Sequence, residues 1–211
     1  MDMATGIVAA LADQGDASAQ LSLAKLYRQG EGVSKDIVAA AKWYRMAADQ
    51  GLAKAQHNLG VMYDEGDGVE QDHGEAIKWF QMAADQGFRP SLHNLGDMYL
   101  RGLGVAEDPA KAMELFRRAA DLGASRSQFC LGSMYDEGRG VKQDATEAAL
   151  WYTKAAEQGY ADAQVNLGLM YEEGRGVAQD YDEAARLFRA AAEQGNPLAQ
   201  MNIGNMSLRR K

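Results

Sequence analysis

A glycine recurs every 36 residues through this chain, and that spacing constrains the fold more than any other feature. The register is kept without insertion or deletion at Gly15, Gly51, Gly87, Gly123, Gly159 and Gly195. Repeats with periods of about 20–50 residues are typical of solenoids, in which each repeat packs mainly on its neighbours. We therefore predict one continuous stack over residues 1–211, although the length alone would allow one or two globular domains.

Each repeat has the pattern of two amphipathic helices joined by a loop that contains glycine. In residues 51–86, Leu59, Met62 and Tyr63 lie three and four positions apart and predict the buried stripe of a first helix, helix A. Trp79 and Phe80 mark the buried stripe of a second helix, helix B. Large rings facing small residues of neighbouring helices would interlock such hairpins, so we interpret the aromatic residues as core.

The register divides the chain into five full units with a partial unit at each end. Residues 1–14 match the second half of a repeat, and residues 195–211 form a half-unit with one helix. The full units are residues 15–50, 51–86, 87–122, 123–158 and 159–194.

One position in helix A is small in every unit, although glycine within a helix costs about 1 kcal/mol relative to alanine. The residues are Ala24, Gly60, Gly96, Gly132, Gly168 and Gly204. We expect close approach of another helix at this position. A second set of glycines follows helix A, where a left-handed backbone can end the helix.

An aspartate precedes helix B in all five units, and it is predicted to be the N-cap and not a catalytic residue. The five are Asp36, Asp72, Asp108, Asp144 and Asp180. Glu75, Glu147 and Glu183 lie three residues further on, which predicts an aspartate version of the capping box.

Charge and cysteine content limit the classes of partner and compartment. The chain has 22 Lys and Arg against 30 Asp and Glu, a net charge of −8, and no basic stripe, which argues against nucleic-acid binding. Cys130 is the single cysteine, so no intrachain disulfide is expected and a reducing compartment is favoured. No signal peptide or membrane span is predicted, because the apolar run at the N-terminus fits the repeat register. A cytoplasmic location is favoured.

The recurring residues resemble the Sel1-like repeat, a relative of the tetratricopeptide repeat, over essentially the whole chain. Residues 161–195, ADAQVNLGLMYEEGRGVAQDYDEAARLFRAAAEQG, nearly spell the family pattern. The resemblance implies an all-α fold, an α/α right-handed superhelical solenoid of antiparallel helix hairpins. It also implies an adaptor or scaffold for protein partners, often in bacteria. The paired cysteines of the family's secreted branch are absent from this sequence.

In solenoids of this kind the A helices line the concave face, and one A-helix register is rich in asparagine. We name it the asparagine row: Ser22, Asn58, Asn94, Cys130, Asn166 and Asn202. An asparagine amide can donate to and accept from one peptide unit, so such a row could hold the backbone of an extended peptide in the groove. The alternative is that these amides bond to neighbouring elements inside the stack.

The preceding register contains His57 and His93 in adjacent units. Packed helix axes lie about 8–10 Å apart, so a metal ion shared by the two is only just possible. We expect half-buried groove residues, and we expect no metal site and no cofactor.

Helix A ends in acidic residues, which oppose the helix dipole at a cost of about 0.3–1 kcal/mol each when exposed. They are Asp64, Glu65, Asp136, Glu137, Glu172 and Glu173. One interpretation is that they hold a basic peptide. The other is that Arg139 and Arg175 in the following loops partly compensate them.

The sequence thus favours a protein-interaction scaffold over an enzyme, since no nucleophile–base pair breaks the repeated pattern. The alternative is a structural segment of a longer array, or a scaffold that self-associates through its ends. Residues Ile7, Val8 and Leu11 at one end and Met201, Ile203 and Met206 at the other have no polar capping helix over them.

Overall fold

The computed structural model describes residues 2–209, with side chains through residue 206, and this part of the chain contains twelve α-helices and no strand. The all-α prediction is confirmed. The helices are α1 (Met3–Asp13), α2 (Ala17–Gln29), α3 (Ile37–Asp49), α4 (Ala53–Glu65), α5 (His73–Asp85), α6 (Arg89–Arg101), α7 (Pro109–Asp121), α8 (Ser125–Glu137), α9 (Ala145–Glu157), α10 (Ala161–Glu173), α11 (Tyr181–Glu193) and α12 (Pro197–Arg209).

The helices form two compact units, Met1–Glu107 and Asp108–Lys211. The first unit contains α1 to α6 and the second contains α7 to α12. Within each unit consecutive helices pack on one another, with the even-numbered helices in the helix A position and the odd-numbered ones in the helix B position. A single continuous stack over 1–211 stays a prediction.

The aspartates before helix B are N-caps, as predicted, but the capping box is wrong. The Asp72 carboxylate accepts the Glu75 backbone N–H at 2.9 Å, and Asp144 and Asp180 cap α9 and α11 in the same way. In a capping box the glutamate would accept the aspartate's own N–H. That N–H instead donates to the Tyr63 carbonyl at 2.9 Å, so Glu75 has no amide to accept there.

The mid-helix glycines permit direct contact between a helix A backbone and an aromatic ring of helix B, which confirms the predicted close approach. A Cβ added at Gly60 would lie 2.7 Å from the Phe80 ring. The same construction brings Gly132 to 2.6 Å from Tyr152. Phe80 and Tyr152 are fully buried, so the ring has no room to retreat.

In α2, α4, α8 and α10 a buried glutamine joins helix A to the helix before it and to the end of its own helix B. Gln56 donates to the Ala48 carbonyl of α3 at 3.2 Å, and its carbonyl oxygen accepts from the Gln86 amide at 2.8 Å. One side chain therefore links α3, α4 and the residue that follows α5. The equivalent pairs are Gln20 with Gln50, Gln128 with Gln158 and Gln164 with Gln194.

The terminal helices leave apolar side chains in solvent, but fewer than the sequence suggested. On α1, Ile7 and Leu11 are 60% and 46% exposed, and on α12 Met201 is 55% exposed. Met206 is buried in the core of the second unit, however, where Ile203 also packs. Helix α12 therefore buries one stripe against α11 and exposes another.

Gly60→Val should lower the free energy of unfolding by about 2–3 kcal/mol, because the new side chain collides with a buried ring. Gly204→Val is the matched control: it lies in α12 at the same register, and a Cβ there has no atom within 4 Å. Urea unfolding followed by circular dichroism measures both. Equal losses in the two variants would contradict the close-approach explanation.

Candidate functional site

The asparagine row lies on successive A helices of each unit, with its amides half-buried. Asn58 and Asn94 are on α4 and α6 of the first unit, and Asn166 and Asn202 are on α10 and α12 of the second. Half-burial fixes the side chain against the helices while leaving part of it open to solvent. Each of the two compact units therefore has its own pair of asparagines.

The four asparagines differ in whether the preceding helix B provides a tyrosine hydroxyl as a hydrogen-bonding partner. Asn58 hydrogen-bonds to the Tyr44 hydroxyl, and Asn166 bonds to that of Tyr152, both on the preceding helix B. Burial raises the pKa of both tyrosines, so both hydroxyls remain protonated, and that of Tyr152 donates to the Ser133 hydroxyl at 3.1 Å. The two bonds to asparagine are of the kind expected from the alternative hypothesis, in which the asparagine amides bond to neighbouring elements inside the stack.

Phenylalanine replaces tyrosine before the other two asparagines. Phe80 stands 14 residues before Asn94, as Tyr44 stands 14 before Asn58, and Phe188 stands in the same relation to Asn202. Phenylalanine has no hydroxyl, so it cannot bond to either amide. Asn94 and Asn202 thus keep more of their hydrogen-bonding capacity for a ligand than Asn58 and Asn166 do.

His57 lies against the row as a neutral aromatic residue. Its ring packs against Phe80 and Phe88 at centroid distances of 5.6 and 5.2 Å, and its Nδ1 is 2.9 Å from the Ser91 hydroxyl. Burial lowers the pKa of the imidazole from 6.5 to about 4. The predicted half-buried position is confirmed for His57.

The same prediction is wrong for His93, which is buried. Helix α6 buries a wider face than helix α4, since Ser91, Leu92 and His93 are buried in succession. Among the described residues no group of three or more His, Cys, Asp or Glu is placed to hold a metal ion.

Many of the acidic residues at the ends of the A helices, which we call the acidic register, form ion pairs within their own compact unit. In the first unit Asp64 lies 2.9 Å from His73, and Glu65 lies 3.7 Å from Arg28 of the preceding helix A. In the second, Arg175 contacts both Asp136 and Glu173. The predicted compensation by Arg175 is therefore present. Glu137 and Glu172 also lie at the ends of their A helices, α8 and α10.

The structure also contains a cluster that sequence reasoning missed, in which arginine, tyrosine and tryptophan join two repeats. Arg45 of α3 lies 5.5 Å from the Tyr63 and Trp79 ring centroids of the next hairpin and hydrogen-bonds to the Tyr63 hydroxyl. Such cation–π contacts contribute about 0.5–2 kcal/mol. We call this the Arg–Tyr–Trp cluster.

The second unit has the same cluster 72 residues later. Arg117 lies 5.4 Å from the Trp151 centroid and donates to the Tyr135 hydroxyl at 2.7 Å. The signal in the sequence was the recurrence of the three residue types at this double spacing. Because the three residues recur in every second repeat, a search for residues that depart from the 36-residue pattern does not find the cluster.

Comparison with protein families assigns the repeat. The Sel1 repeat model matches residues 17–52, 53–88, 89–123, 125–160 and 161–196. This chain belongs to the Sel1 repeat family. The earlier resemblance is confirmed, and a comparison with curated proteins finds no match.

Solved Sel1 repeat structures have the same fold. A protective antigen of uropathogenic Escherichia coli is 44% identical with a TM-score of 0.90, covering 92% of this chain and 42% of its own. The chain thus spans less than half of that protein. A Sel1 repeat protein of Oxalobacter formigenes is 38% identical with a TM-score of 0.86, covering 91% of this chain and 78% of its own.

A Klebsiella pneumoniae Sel1 repeat protein is 20% identical with a TM-score of 0.58, covering 96% of this chain and 99% of its own, and shows the fold alone.

Sel1 repeat proteins generally act as scaffolds for protein–protein interaction, and their repeats are typically not enzymes. Within the described residues, no helix has the length and apolar character required to cross a membrane.

The depressed pKa of His57 predicts that acid destabilises this Sel1 chain. The unfolded imidazole binds a proton below pH 6.5, whereas the folded one does so only below about 4. Stability contributed by neutral His57 is therefore present above pH 6.5 and is lost as the pH falls from 6.5 towards 4. We expect the free energy of unfolding to drop between pH 7 and 5, by on the order of 1–2 kcal/mol from this residue.

His57→Phe should remove that part of the pH dependence, and Phe129 already occupies the equivalent position in the second unit, packed on Tyr152 and Tyr160. Urea unfolding at pH 7 and pH 5 measures the difference. Parallel pH profiles for the parent chain and the variant would refute the assignment.

Proposed function

We propose that this Sel1 repeat chain is a scaffold or adaptor that binds an extended segment of a partner protein along the asparagine row. The observation that supports this most directly is the half-exposed amide pair on successive A helices of each unit. An asparagine amide can accept the N–H and donate to the C=O of one peptide group, so it holds a backbone whatever its side chains are. The groove is the face that the sequence predicts to be concave.

The two kinds of asparagine have different roles in this proposal. Asn94 and Asn202, which follow phenylalanine, contribute mainly to the ligand. Asn58 and Asn166 also bond to a tyrosine hydroxyl and contribute to the stability of the repeat interface. Because an amide has four hydrogen-bonding positions, one bond to tyrosine still leaves capacity for a peptide.

Charge favours a basic partner. The chain carries a net charge of −8. The ion pairs of Glu65 and Glu173, at the ends of the A helices, involve exposed or half-exposed side chains and neutralise this charge only in part. Exposed pairs contribute about 0–1 kcal/mol, so a basic ligand can compete with them at small cost. Binding of a basic segment should therefore weaken as ionic strength rises.

Paired alanine substitutions separate ligand binding from stability. Asn94→Ala with Asn202→Ala should reduce affinity for a basic decapeptide selected on the parent chain by roughly tenfold, with little change in melting temperature. Asn58→Ala with Asn166→Ala should lower the free energy of unfolding by about 1–2 kcal/mol, because each leaves a buried tyrosine hydroxyl with fewer partners.

Fluorescence anisotropy at 50 and 300 mM salt and urea unfolding give the two readings. If the Asn94 and Asn202 pair leaves affinity unchanged while stability falls, the row is structural and the proposal fails.

A second candidate is self-association, favoured by the apolar residues exposed on the terminal helices. Met3 and Ile7 on α1 are 86% and 60% exposed, and Leu198 and Met201 on α12 are each 55% exposed. Repeat stacks need polar terminal repeats to remain monomeric. We expect the weight-average mass from light scattering to rise with concentration.

Ile7→Glu should abolish that rise, because it places a charge within the exposed stripe of α1. Val38→Glu is the control, since Val38 is 53% exposed on the internal helix α3. A mass that is constant from 5 to about 200 µM would exclude association through the ends.

A further inference from the structure

The two Arg–Tyr–Trp clusters are internal examples of an arginine side chain bound between two hairpins. In each, the guanidinium of helix B lies over tryptophan and bonds to a tyrosine hydroxyl of the following repeat. The covered indoles are nearly removed from solvent, with Trp79 8% and Trp151 4% exposed. Where the arginine is replaced by Ala9, the corresponding Trp43 remains half-exposed.

The next interface of the second compact unit has the three positions that correspond to the arginine, tyrosine and tryptophan of the cluster, but the arginine is absent. Thr153, Tyr171 and Leu187 lie 36 residues after Arg117, Tyr135 and Trp151 respectively. The tyrosine is kept, and the arginine and the tryptophan are both replaced by smaller residues. A cavity of about 500 Å³ lies at this place between α9, α10 and α11, lined by all three residues. This volume is within the range of about 300–1,000 Å³ typical of ligand pockets.

The lining of the cavity combines an apolar floor with carboxylates. Leu167 and Leu187 are buried and the Tyr171 side chain is half-exposed. Tyr171 accepts the Asp180 backbone N–H through its carbonyl, but its hydroxyl has no hydrogen bond to any described residue. Thr153 donates its hydroxyl to the Ala149 carbonyl at 2.8 Å, so that group is already used.

Three charged residues also line it: Glu157, Glu183 and Arg186. Arg186 is held by Glu183 through two bonds of 2.7 and 2.6 Å. Glu157 has no ion pair among the described residues.

We infer that this cavity, the Thr153 pocket, binds an arginine side chain supplied by a partner protein. The guanidinium takes the place that Arg45 and Arg117 occupy in the two Arg–Tyr–Trp clusters and donates to the Tyr171 hydroxyl, as those arginines do to Tyr63 and Tyr135. Glu157 supplies the carboxylate, and the aliphatic part of the side chain covers Leu187. The inference rests on the proposed scaffold function, because it names one side chain of the partner that the scaffold recognises.

Arginine fits the pocket better than lysine or an apolar side chain. A guanidinium is planar, stacks on aromatic faces and donates through a fork of N–H groups, whereas an ammonium is compact and strongly hydrated. An apolar side chain would leave the Tyr171 hydroxyl without a partner and would gain nothing from Glu157. The two occupied clusters use arginine at this place.

The test titrates the full chain with Nα-acetyl-arginine N-methylamide, followed by ¹H–¹⁵N chemical shifts. We expect saturable shifts at the Tyr171 and Leu187 amides with a Kd on the order of 1 mM. The citrulline analogue is a neutral isostere and the lysine analogue is a cation without the planar fork, and both should bind at least about fivefold more weakly.

Two arginine substitutions on α9 distinguish a filled pocket from a general effect of added charge. Thr153→Arg restores the residue found at positions 45 and 117, so it should keep or raise the melting temperature and weaken probe binding at least about tenfold. Thr146→Arg is the control, because Thr146 is exposed on the same helix outside the pocket, and it should bind as the parent chain does. Glu157→Gln should weaken binding roughly threefold, whereas Glu193→Gln, at the same register of the next helix B, α11, should not.

Equal binding of the citrulline analogue, undiminished binding by Thr153→Arg, or no saturable shift up to about 20 mM probe would overturn the inference. If Thr153→Arg does not fold, the Glu157→Gln and Glu193→Gln pair and the analogue series still decide it. The probe has too little backbone to report on the asparagine row. Loss of peptide binding in the Asn94 and Asn202 variant therefore tests the proposed function, and loss of probe binding tests the pocket.

Discussion

The contact between an aromatic ring of helix B and a glycine of helix A is the interaction on which the rest of the structure depends. Burial of a ring of this size contributes about 1.5–3 kcal/mol, and glycine within a helix costs about 1 kcal/mol, so the exchange is favourable at Gly60, Gly132 and Gly168. The ring fixes the distance between the two helices because a Cβ at Gly60 or Gly168 would lie 2.7 Å from it. At Gly204 of α12, by contrast, an added Cβ would meet no atom within 4 Å.

The buried glutamines add direction to this packing, since each one bonds to the hairpin before it and to the end of its own hairpin. A polar group in this position is costly when one partner is lost and nearly neutral when both are replaced by apolar residues. The third repeat follows that rule: Leu92 stands at the position of Gln56, and Leu122 stands at the position of Gln86. The two replacements occur together, and Leu92 is buried. Among the five full repeats, four keep both glutamines and the third has lost both, so none of the five keeps one without the other.

The 36-residue period was sufficient to predict the helices, the aspartate caps and the glycine contacts, because each is determined within one repeat. The predictions that were wrong, and the cluster that was not predicted, concern side chains whose contacts depend on residues outside their own helix. Glu75 did not complete a capping box because a tyrosine carbonyl already accepts the Asp72 N–H. His93 is buried because α6 has a wider buried face than α4. Arg45 was overlooked because its partners belong to the next repeat, and a side chain that reaches across an interface leaves no mark in the spacing of its own helix.

The same reasoning explains why binding sites in a repeat protein are found by comparing interfaces and not by comparing residues. Thr153 is unremarkable on a helix, and Leu187 fills a core position as well as leucine does elsewhere. Their effect becomes visible only when both are set against Arg117 and Trp151, because a cavity opens where one interface lacks two side chains that another contains. In the occupied interfaces Trp79 and Trp151 are buried with their indole N–H groups unpaired among the described residues, a cost of about 1–3 kcal/mol each. The arginine that lies over each ring offsets that cost. An interface without tryptophan has no such cost, so its arginine can come from another molecule.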